Sequence, residues 1–435
     1  MGTRRTSVTR RGLAAAALAV MLVAGTGLAA AGGSVAVSNA AGLRAVLTLT
    51  PSKTFVGQIV VAGIARSTLA NGTSVKRLTI NWGDGRTVRL GGLKSLSTHR
   101  YAHPGRFIVI EALTDSKGHT AHSSMPAVIA KPSRVFWDLF NGRAGTQIQL
   151  ESAALPLLAS SKDVQITGSA TNKLRCTAGM TTDSKGRLWV LSYPNGCSAP
   201  FEATIQVFST PVVQSSAPVL TFTLPGSGDV DNLTFDHKGN LWVEDDYNSA
   251  VYEFSGPFTT SSTLVPSLTI TAGINRPSGI AVDAKGDVFV ANVTSAGTHS
   301  IAVFHAPVSA ATVPTFLSGL TEPGGLTVDT LGNLYASSNP ANGKGAAVVR
   351  YNANHLGNGA TPSIVDRWVH LGVPYTSDFA WDALGNLYVA DCGSLGGLRV
   401  FPLATSPFSP VLRPSAVYTN PSLVLTGCAW GIAIH

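Results

Sequence analysis

A short pattern recurs five times in this 435-residue chain, and it constrains the fold more than any other feature of the sequence. Each copy is an apolar run that ends at Asp, a two-residue turn, a Gly, and a second apolar run that contains an aromatic residue. The Asp residues stand at positions 183, 236, 283, 329 and 382, so that successive copies are 46 to 53 residues apart. Repeats of this length that each encode short strands are typical of the blades of a β-propeller.

The local chemistry of the repeat predicts four strands per copy. The first strand ends at Asp, and the Gly adopts the left-handed conformation that other residues adopt only at a cost, so that the chain can reverse into the second strand. A third apolar run ends in an aromatic residue, as in 251–254, and a fourth follows a Pro, as in 266–270. The pattern therefore predicts antiparallel four-stranded sheets.

The end of the chain predicts how the sheets join. Residues 431–435 repeat a first strand, with His435 at the position of the Asp, and the sequence stops there. The second, third and fourth strands that this copy lacks are found at 135–137, 146–150 and 163–168. We therefore expect six blades, one of which is built from both termini, so that the ring closes and has no free sheet edge.

The copies resemble NHL repeats, whose pattern is P-x-G-I-A-V-D-x-x-G-N-L-Y-V-A-D, and more distantly the gluconolactonase-like and streptogramin-lyase propellers. The resemblance covers residues 132–435 and implies a β-propeller. It implies no single function, because related propellers serve adhesion, ligand sensing, lactone hydrolysis and lyase chemistry alike.

Residues 45–131 have a different pattern of short alternating strands. Three turn motifs occur in order, Trp82-Gly83-Asp84-Gly85, then His99 to Phe107, then Thr114 to Gly118. These motifs resemble the PKD domain, which implies an immunoglobulin-like sandwich with Trp82 and Tyr101 near the core. The resemblance implies structural roles for Asp84, His99 and His103. The predicted fold class is therefore all-β, with a PKD-like sandwich followed by a six-bladed propeller.

Residues 1–31 have the pattern of a signal peptide, since four arginines precede an apolar run that ends in small residues at 29–31. The segment 9–13 also resembles a twin-arginine signal, a general secretory signal fits the same residues, and an uncleaved anchor over 13–33 is a third reading. Residues 32–44 are assigned as a spacer. We expect an extracellular protein or one associated with the cell envelope.

The positive charge is concentrated in the small N-terminal module. Residues 44–131 contain 12 Lys or Arg and three acidic residues, whereas residues 132–435 contain more acidic than basic residues. One reading is an ordinary solvated surface, and the other is attraction to an anionic polymer of the cell envelope. The sequence has no nucleic-acid-reading motif, so nucleic acid is not an expected partner.

All four cysteines lie in the predicted propeller. In an exported chain they are expected to form disulfides. Cys176 and Cys428 precede equivalent first strands, and Cys197 and Cys392 follow second strands, on the same predicted face. The preferred pairing of the three available is Cys176–Cys197 with Cys392–Cys428, and a zinc site of four thiolates is the alternative.

One constellation of polar residues remains after a search for catalytic motifs. The chain has no G-x-S-x-G elbow, no H-E-x-x-H motif, no P-loop and no EF-hand loop. In a propeller, the starts of the first strands and the ends of the second strands meet at one mouth of the channel. The candidate ligands there are Asp231, Asn232, Asp245, Asn292, Asp378 and Asp391, with Ser192 and Ser338 in the remaining equivalent positions.

These oxygen-bearing side chains support two readings. Converging oxygens would suit calcium or another divalent cation, whereas Asp or Asn after such a strand also commonly bonds to loop backbone. The leading hypothesis is an exported, non-catalytic binding or scaffold protein that recognises a protein or small-molecule ligand at a propeller face. The alternative is a metal-dependent hydrolase or lyase of the gluconolactonase or streptogramin-lyase type, and no catalytic residue is assigned.

Overall fold

The structure is a computed structural model of the 435-residue chain. It describes residues 35–38, 42–93, 95–138, 148–155, 163–196, 202–224, 226, 228–294, 299–339, 346–367, 375–392, 397–401, 416–419 and 431–435. The predicted signal peptide, 1–31, lies outside these ranges. Throughout the described residues the regular structure is β-strand, which confirms the predicted all-β class, and no helix there is long and apolar enough to span a membrane.

The N-terminal part of the described chain forms two sheets that share one core. The larger sheet has five strands in spatial order, and a sixth, Lys53–Phe55, pairs in parallel with the end of its second strand. The five strands are Val35–Ser38, Thr120–Ala130, Gly105–Asp115, Val75–Asn81 and Thr87–Arg89. The smaller sheet comprises Thr48–Thr50, Ile59–Gly63 and Leu96–Arg100. Val35–Ser38 lies inside the segment assigned as a spacer, so the larger sheet extends into that segment.

The turn motifs of this module place aromatic residues in its core. Trp82 and Tyr101 are fully buried, and the Tyr101 hydroxyl donates a hydrogen bond to the Trp82 carbonyl at 2.9 Å. The His99 ring stacks on Trp82, and its Nε2 lies 2.6 Å from an oxygen of Asp84. Gly83 has φ of +82°, and a Cβ there would lie 2.7 Å from the Ile108 carbonyl oxygen. The motif residues therefore fold the turn and fill the core.

The described residues between 134 and 435 form six sheets that each contain four antiparallel strands, numbered here sheet 1 to sheet 6 in chain order. Sheet 1 takes its first strand from the C-terminus and comprises Ile432–Ile434, Arg134–Asp138, Ile148–Ala154 and Asp163–Thr167. Sheet 2 comprises Thr177–Thr182, Leu188–Ser192, Ala203–Phe208 and Leu220–Leu224, with Ser262–Thr263 added in parallel at its edge. Sheet 3 comprises Leu233–Phe235, Leu241–Asp245, Ala250–Phe254 and Leu268–Ile270.

The remaining three sheets repeat this order of strands. Sheet 4 comprises Pro277–Val282, Val288–Asn292, Ser300–Phe304 and Thr315–Leu317. Sheet 5 comprises Leu326–Val328, Leu334–Ser338, Ala347–Tyr351 and Ile364–Arg367. Sheet 6 comprises Tyr375–Trp381, Leu387–Cys392, Gly397–Phe401 and Ala416–Thr419.

The repeated Asp organises the turn between the first and second strands. In sheet 3, Oδ1 of Asp236 accepts the backbone N–H groups of Lys238 and Asn240, at 2.8 and 2.9 Å. Its Oδ2 accepts a hydrogen bond from the Asn240 side chain at 3.0 Å. Gly239 has φ of +85°, as the left-handed turn position requires. One carboxylate thus satisfies the turn backbone, which explains why Asp recurs there.

The first strands of the six sheets follow one another in space. Neighbouring first strands contact in the order sheet 2, 3, 4, 5, 6, and the first strand of sheet 1 contacts those of sheets 2 and 6. The C-terminal strand pairs antiparallel with 135–137, with Val135 opposite Ile434. The backbone N–H of His435 also donates to the Arg134 carbonyl at 3.0 Å.

One side chain of the N-terminal module packs into the core between sheets 1 and 6. Phe55 is 1% exposed and belongs to the same buried cluster as Trp137 of sheet 1 and Tyr388 of sheet 6. The adjacent Val56 N–H donates to the Ala130 carbonyl at 3.0 Å, which ties this segment to the large sheet. Phe55 therefore connects the sandwich to the first and last sheets of the repeat region.

We expect Phe55→Ala to lower the free energy of unfolding by about 3 kcal/mol or more, because it leaves a cavity in a shared core. Urea denaturation followed by tryptophan fluorescence measures this change. Ile59→Ala, at a side chain of the same module that is 43% exposed, is the control and should cost well under half as much. Equal losses in the two variants would contradict the role assigned to Phe55.

Candidate functional site

Six equivalent backbone positions lie at the start of the first strands, where the sheets approach one another. Four of them are glycines, and the other two are Asn232 and Asp378; the glycines are Gly179, Gly279, Gly325 and Gly431. A Cβ at Gly179, Gly325 or Gly431 would lie only 2.5 to 2.6 Å from a carbonyl oxygen of the next first strand. The Gly325 N–H donates directly to the Ser377 carbonyl of the neighbouring sheet, at 2.7 Å. Glycine is required here because backbone packs against backbone.

Asn232 and Asp378 are the two side chains at these positions, and they meet. They belong to sheets 3 and 6, which are three places apart in the order of first strands. The Asn232 amide donates a hydrogen bond to the Asp378 carboxyl group. In both residues Oδ1 accepts the N–H of the next residue, at 2.8 Å in each case. We call this pair the hub bridge.

Asp378 also holds the C-terminal strand. Its Oδ2 accepts the backbone N–H of Ile432 at 3.1 Å. The side chain is buried, and burial raises the pKa of Asp378 from its ordinary value of 3.8 to about 7, against the opposing effect of its hydrogen bonds from Phe379, Ile432 and Asn232. Its protonation state therefore changes near neutral pH.

A cavity of about 230 Å³ lies between the first strands. All six first strands line it, and the lining residues include both members of the hub bridge together with Thr181, Thr234 and Thr327. The hub bridge crosses the cavity at the end where the first strands begin. The cavity is a polar chamber between the sheets, bounded at that end by an amide–carboxyl hydrogen bond.

The other described members of the predicted ligand set bond to their own loops. Asp245 is buried and accepts the N–H groups of Gly228 and Asn248, at 3.2 and 2.9 Å. Asn292 accepts the Asn275 N–H at 3.0 Å and donates to the Gly273 carbonyl at 2.9 Å. Ser338, in the equivalent position of sheet 5, accepts the Thr321 N–H at 2.9 Å. The backbone of Asp391 is described, but its side chain is not.

Asp231 is not part of the hub bridge. Its backbone N–H donates to Oε1 of Glu244 at 3.2 Å. Burial, followed by the charges of Asp229 and Asp246, raises the pKa of Asp231 to about 7. Burial and the charge of Asp231 raise the pKa of Glu244 well above its ordinary value. Asp231 thus belongs to a separate group of carboxyls in sheet 3.

Sequence reasoning missed the rest of this acidic group. Asp229, Glu244 and Asp246 were not proposed, although the segments 229–231 and 244–246 contain five acidic residues that flank one pair of strands. That local excess of acids in a chain with few charged residues was the available signal.

Neither the predicted cation site nor the predicted disulfides are resolved by the described residues. Within the described ranges, no three His, Cys, Asp or Glu side chains are placed to hold one metal ion, and the described candidates make the internal hydrogen bonds given above. Cys197, Cys428 and the side chain of Cys392 lie outside the described residues. The pairing Cys176–Cys197 with Cys392–Cys428 therefore stays a prediction.

Comparison with known proteins finds one segment that matches a known repeat. Residues 275–304, which span the first three strands of sheet 4, match the NHL repeat. No curated protein sequence matches the chain. The NHL match and the repeated four-stranded sheets together identify the repeat region as a β-propeller, in agreement with the predicted class.

Several solved structures are similar to this chain at low sequence identity. A virginiamycin B lyase from Staphylococcus aureus is 12% identical, with a TM-score of 0.35 over 61% of this chain and 80% of that one. The Carbohydrate-Active Enzymes Family AA12 structure from Trichoderma reesei is 15% identical, with a TM-score of 0.42 over 60% and 86%. A quinonprotein alcohol dehydrogenase-like protein from Bacteroides thetaiotaomicron is 11% identical, with a TM-score of 0.35 over 87% and 95%.

The raised pKa of Asp378 predicts a pH-dependent stability. Between pH 4 and pH 7 the folded protein retains a proton on Asp378 that the unfolded chain releases, so the free energy of unfolding falls as the pH rises through this window. In wild type the free energy of unfolding should fall between pH 5 and pH 8, and we expect Asp378→Asn to make this fall smaller by about 2 kcal/mol. At pH 5 the variant should itself be less stable than wild type, because a backbone N–H loses its acceptor. Urea titrations across the pH range measure both effects, and a variant that keeps the wild-type slope would refute the assignment.

Proposed function

We propose that this protein is an exported binding protein that carries out no chemistry at the hub of its propeller. The observation that carries the proposal is that Asn232 and Asp378, the amide and the carboxyl group of the hub, are already hydrogen-bonded within the protein. Asn232 and Asp378 bond to each other and to first-strand backbone. Such groups make a rigid framework for recognition at the faces of the propeller.

The rigidity of this framework rests on closure of a six-bladed ring by both termini, which is part of the proposal. Three observations support it: the pairing of 432–434 with 135–137, the contacts of the C-terminal strand with the first strands of sheets 2 and 6, and its hydrogen bond to Asp378. In a closed ring every sheet packs between two neighbours, so only short, protected strand edges remain and the ring resists opening.

The same contacts favour binding over the metal-dependent hydrolase or lyase alternative. A cation at the mouth would need several free oxygens within one coordination shell. Asp245 and Asn292 instead bond to separate loops, and Asp378 holds the backbone of the closing strand. Recruiting these oxygens would break the bonds that shape the mouth.

The N-terminal module supplies a basic surface for attachment to an anionic polymer of the cell envelope. Arg77, Arg89 and Arg106 are exposed. Thr79 pairs with Arg89 on one side and with Ala112 on the other, so these three residues lie on one face of the larger sheet. Arg77 lies two residues from Thr79 and Arg106 lies six residues from Ala112 along their strands, which places both arginines on the same outer face. Two of the three acidic residues of the module, Glu111 and Asp115, are buried. The exposed surface is therefore positive, and attraction to a polyanion is the expected result.

We expect the full-length variant Arg77→Gln/Arg89→Gln/Arg106→Gln to bind polyphosphate about tenfold or more weakly than wild type at low salt. Binding is measured by fluorescence anisotropy across a salt series, and the slope against salt should become shallower. The control Lys185→Gln/Lys238→Gln/Lys285→Gln removes three exposed lysines from turns of the propeller and should bind as wild type does. Equal weakening in both variants would refute a role specific to the sandwich, and salt-independent binding would refute the electrostatic basis.

Export to an oxidising compartment also predicts the disulfides. The Cys176 carbonyl accepts the Tyr193 N–H at 3.2 Å, so Cys176 lies beside the segment that leads to Cys197. We expect non-reducing peptide mapping to recover Cys176–Cys197 and Cys392–Cys428, and reduction to lower the free energy of unfolding by about 2–4 kcal/mol. Free thiols in the secreted protein, or a Cys176–Cys428 link, would contradict this pairing.

A further inference from the structure

A second group of polar residues lies in sheet 3, outside the hub bridge. It comprises Asp229, Asp231, Glu244 and Asp246, here called the acidic pocket. Backbone contacts hold its two segments together, since the Asp246 N–H donates to the Asp229 carbonyl at 2.8 Å and the Asp231 N–H donates to Glu244 Oε1 at 3.2 Å. Four carboxyl groups are therefore gathered at the start of one strand and the end of the next.

The carboxyls of the acidic pocket repel one another. Burial and the neighbouring charges raise the pKa of Asp229, Asp231 and Glu244. Like charges held together in a partly desolvated site lower the stability of the folded protein. A bound cation would relieve this repulsion, and the pocket would release protons as the cation bound.

One member of the pocket lacks a hydrogen-bond donor. The Glu244 side chain is fully buried, and its Oε2 has no partner, whereas its Oε1 accepts the Asp231 N–H. A buried carboxyl oxygen without a donor is costly and uncommon. This atom is an observation independent of the acidity of the cluster, and it shows that the buried carboxyl group has a hydrogen-bonding position that no described residue fills.

The structure already shows which cation suits these carboxyls. Arg276, from the chain that leads into sheet 4, binds Asp246 through Nε and Nη2, at 3.1 Å each. The described carboxyls are not placed around a single point as metal ligands would be. A guanidinium group spreads five N–H donors over a plane, so it can bridge carboxyls that a metal ion cannot reach together.

An exposed aromatic residue lies at the rim of the pocket. Tyr247 follows Asp246 directly and is 78% exposed. The base of its side chain packs against Gly228, where a Cβ would collide with it. An exposed tyrosine ring that directly follows Asp246 and packs at its base beside Asp229's neighbour Gly228 offers a face for cation–π contact.

We propose that the acidic pocket binds a guanidinium-bearing ligand, with Asp231 as the main carboxyl contact and Tyr247 as the aromatic face. The proposal rests on the proposed function only in treating this face of the propeller as a recognition surface. The ligand is either a free guanidinium compound or an arginine side chain of a partner.

Isothermal titration calorimetry of the full-length protein tests the proposal with three probes. N-acetylarginine amide represents a protein side chain, agmatine represents a free guanidinium compound, and N-acetylcitrulline amide is the neutral counterpart of nearly the same shape. We expect at least one guanidinium probe to bind, the neutral probe to bind at least tenfold more weakly, and the preferred guanidinium probe to identify the source of the ligand. Absence of binding by both guanidinium probes, or equal binding by the neutral probe, overturns the proposal.

Two variants distinguish a binding role from a structural one. We expect Asp231→Asn to weaken guanidinium binding at least tenfold and to raise the Tm, because it removes a repelling charge. The control Asp287→Asn, at the turn between the first two strands of sheet 4, should bind as wild type does. Unchanged binding by the Asp231 variant overturns the site. Polyphosphate binding should be the same in wild type and both variants, so failure of this inference is distinguishable from failure of the proposed attachment to polyanions.

Discussion

Close approach of backbone to backbone at the hub is the constraint on which the rest of the propeller depends. The first strands come so near one another that a Cβ at Gly179, Gly325 or Gly431 would collide with a neighbouring carbonyl oxygen. Four of six equivalent positions are therefore glycine, and the side chains at the other two, Asn232 and Asp378, meet as the hub bridge. The bridge in turn bonds to the Ile432 N–H and so holds the strand with which the chain ends.

The hub bridge and the acidic pocket differ in how completely their polar groups are hydrogen-bonded within the protein. At the hub, Asn232 and Asp378 have partners within the protein, and the carboxyl group of Asp378 is protonated or ionised according to pH. In the acidic pocket, carboxyls accumulate with fewer donors, and Oε2 of Glu244 has none. Replacing one of these carboxyl groups by an amide would be a simple way to gain stability. A destabilising group of carboxyls that a protein nevertheless keeps therefore indicates a role in function. The contrast favours the acidic pocket over the hub as the place where a ligand binds.

Basic residues are exposed on the N-terminal module, whereas acidic residues are gathered in sheet 3 of the propeller. The sandwich exposes arginines and buries two of its three acids, whereas the acidic residues of sheet 3 are gathered at one end of two strands. Phe55 packs the sandwich against sheets 1 and 6. The basic surface and the acidic pocket therefore belong to different parts of the molecule, as the proposed attachment and the proposed ligand binding both require.

The amino-acid sequence by itself determined the all-β class, the positions of the repeat turns and the strands contributed by both termini. These features follow from local rules, since Asp and Gly in a turn satisfy backbone within four residues, and alternation sets the faces of a strand. The sequence also identified Asn232 and Asp378 as polar residues at first-strand starts. Only the tertiary structure decided that these two meet, that Asp245 and Asn292 bond to their own loops, and that Glu244 lies buried beside Asp231. Those outcomes depend on distances between residues of different loops and sheets, which no local pattern encodes.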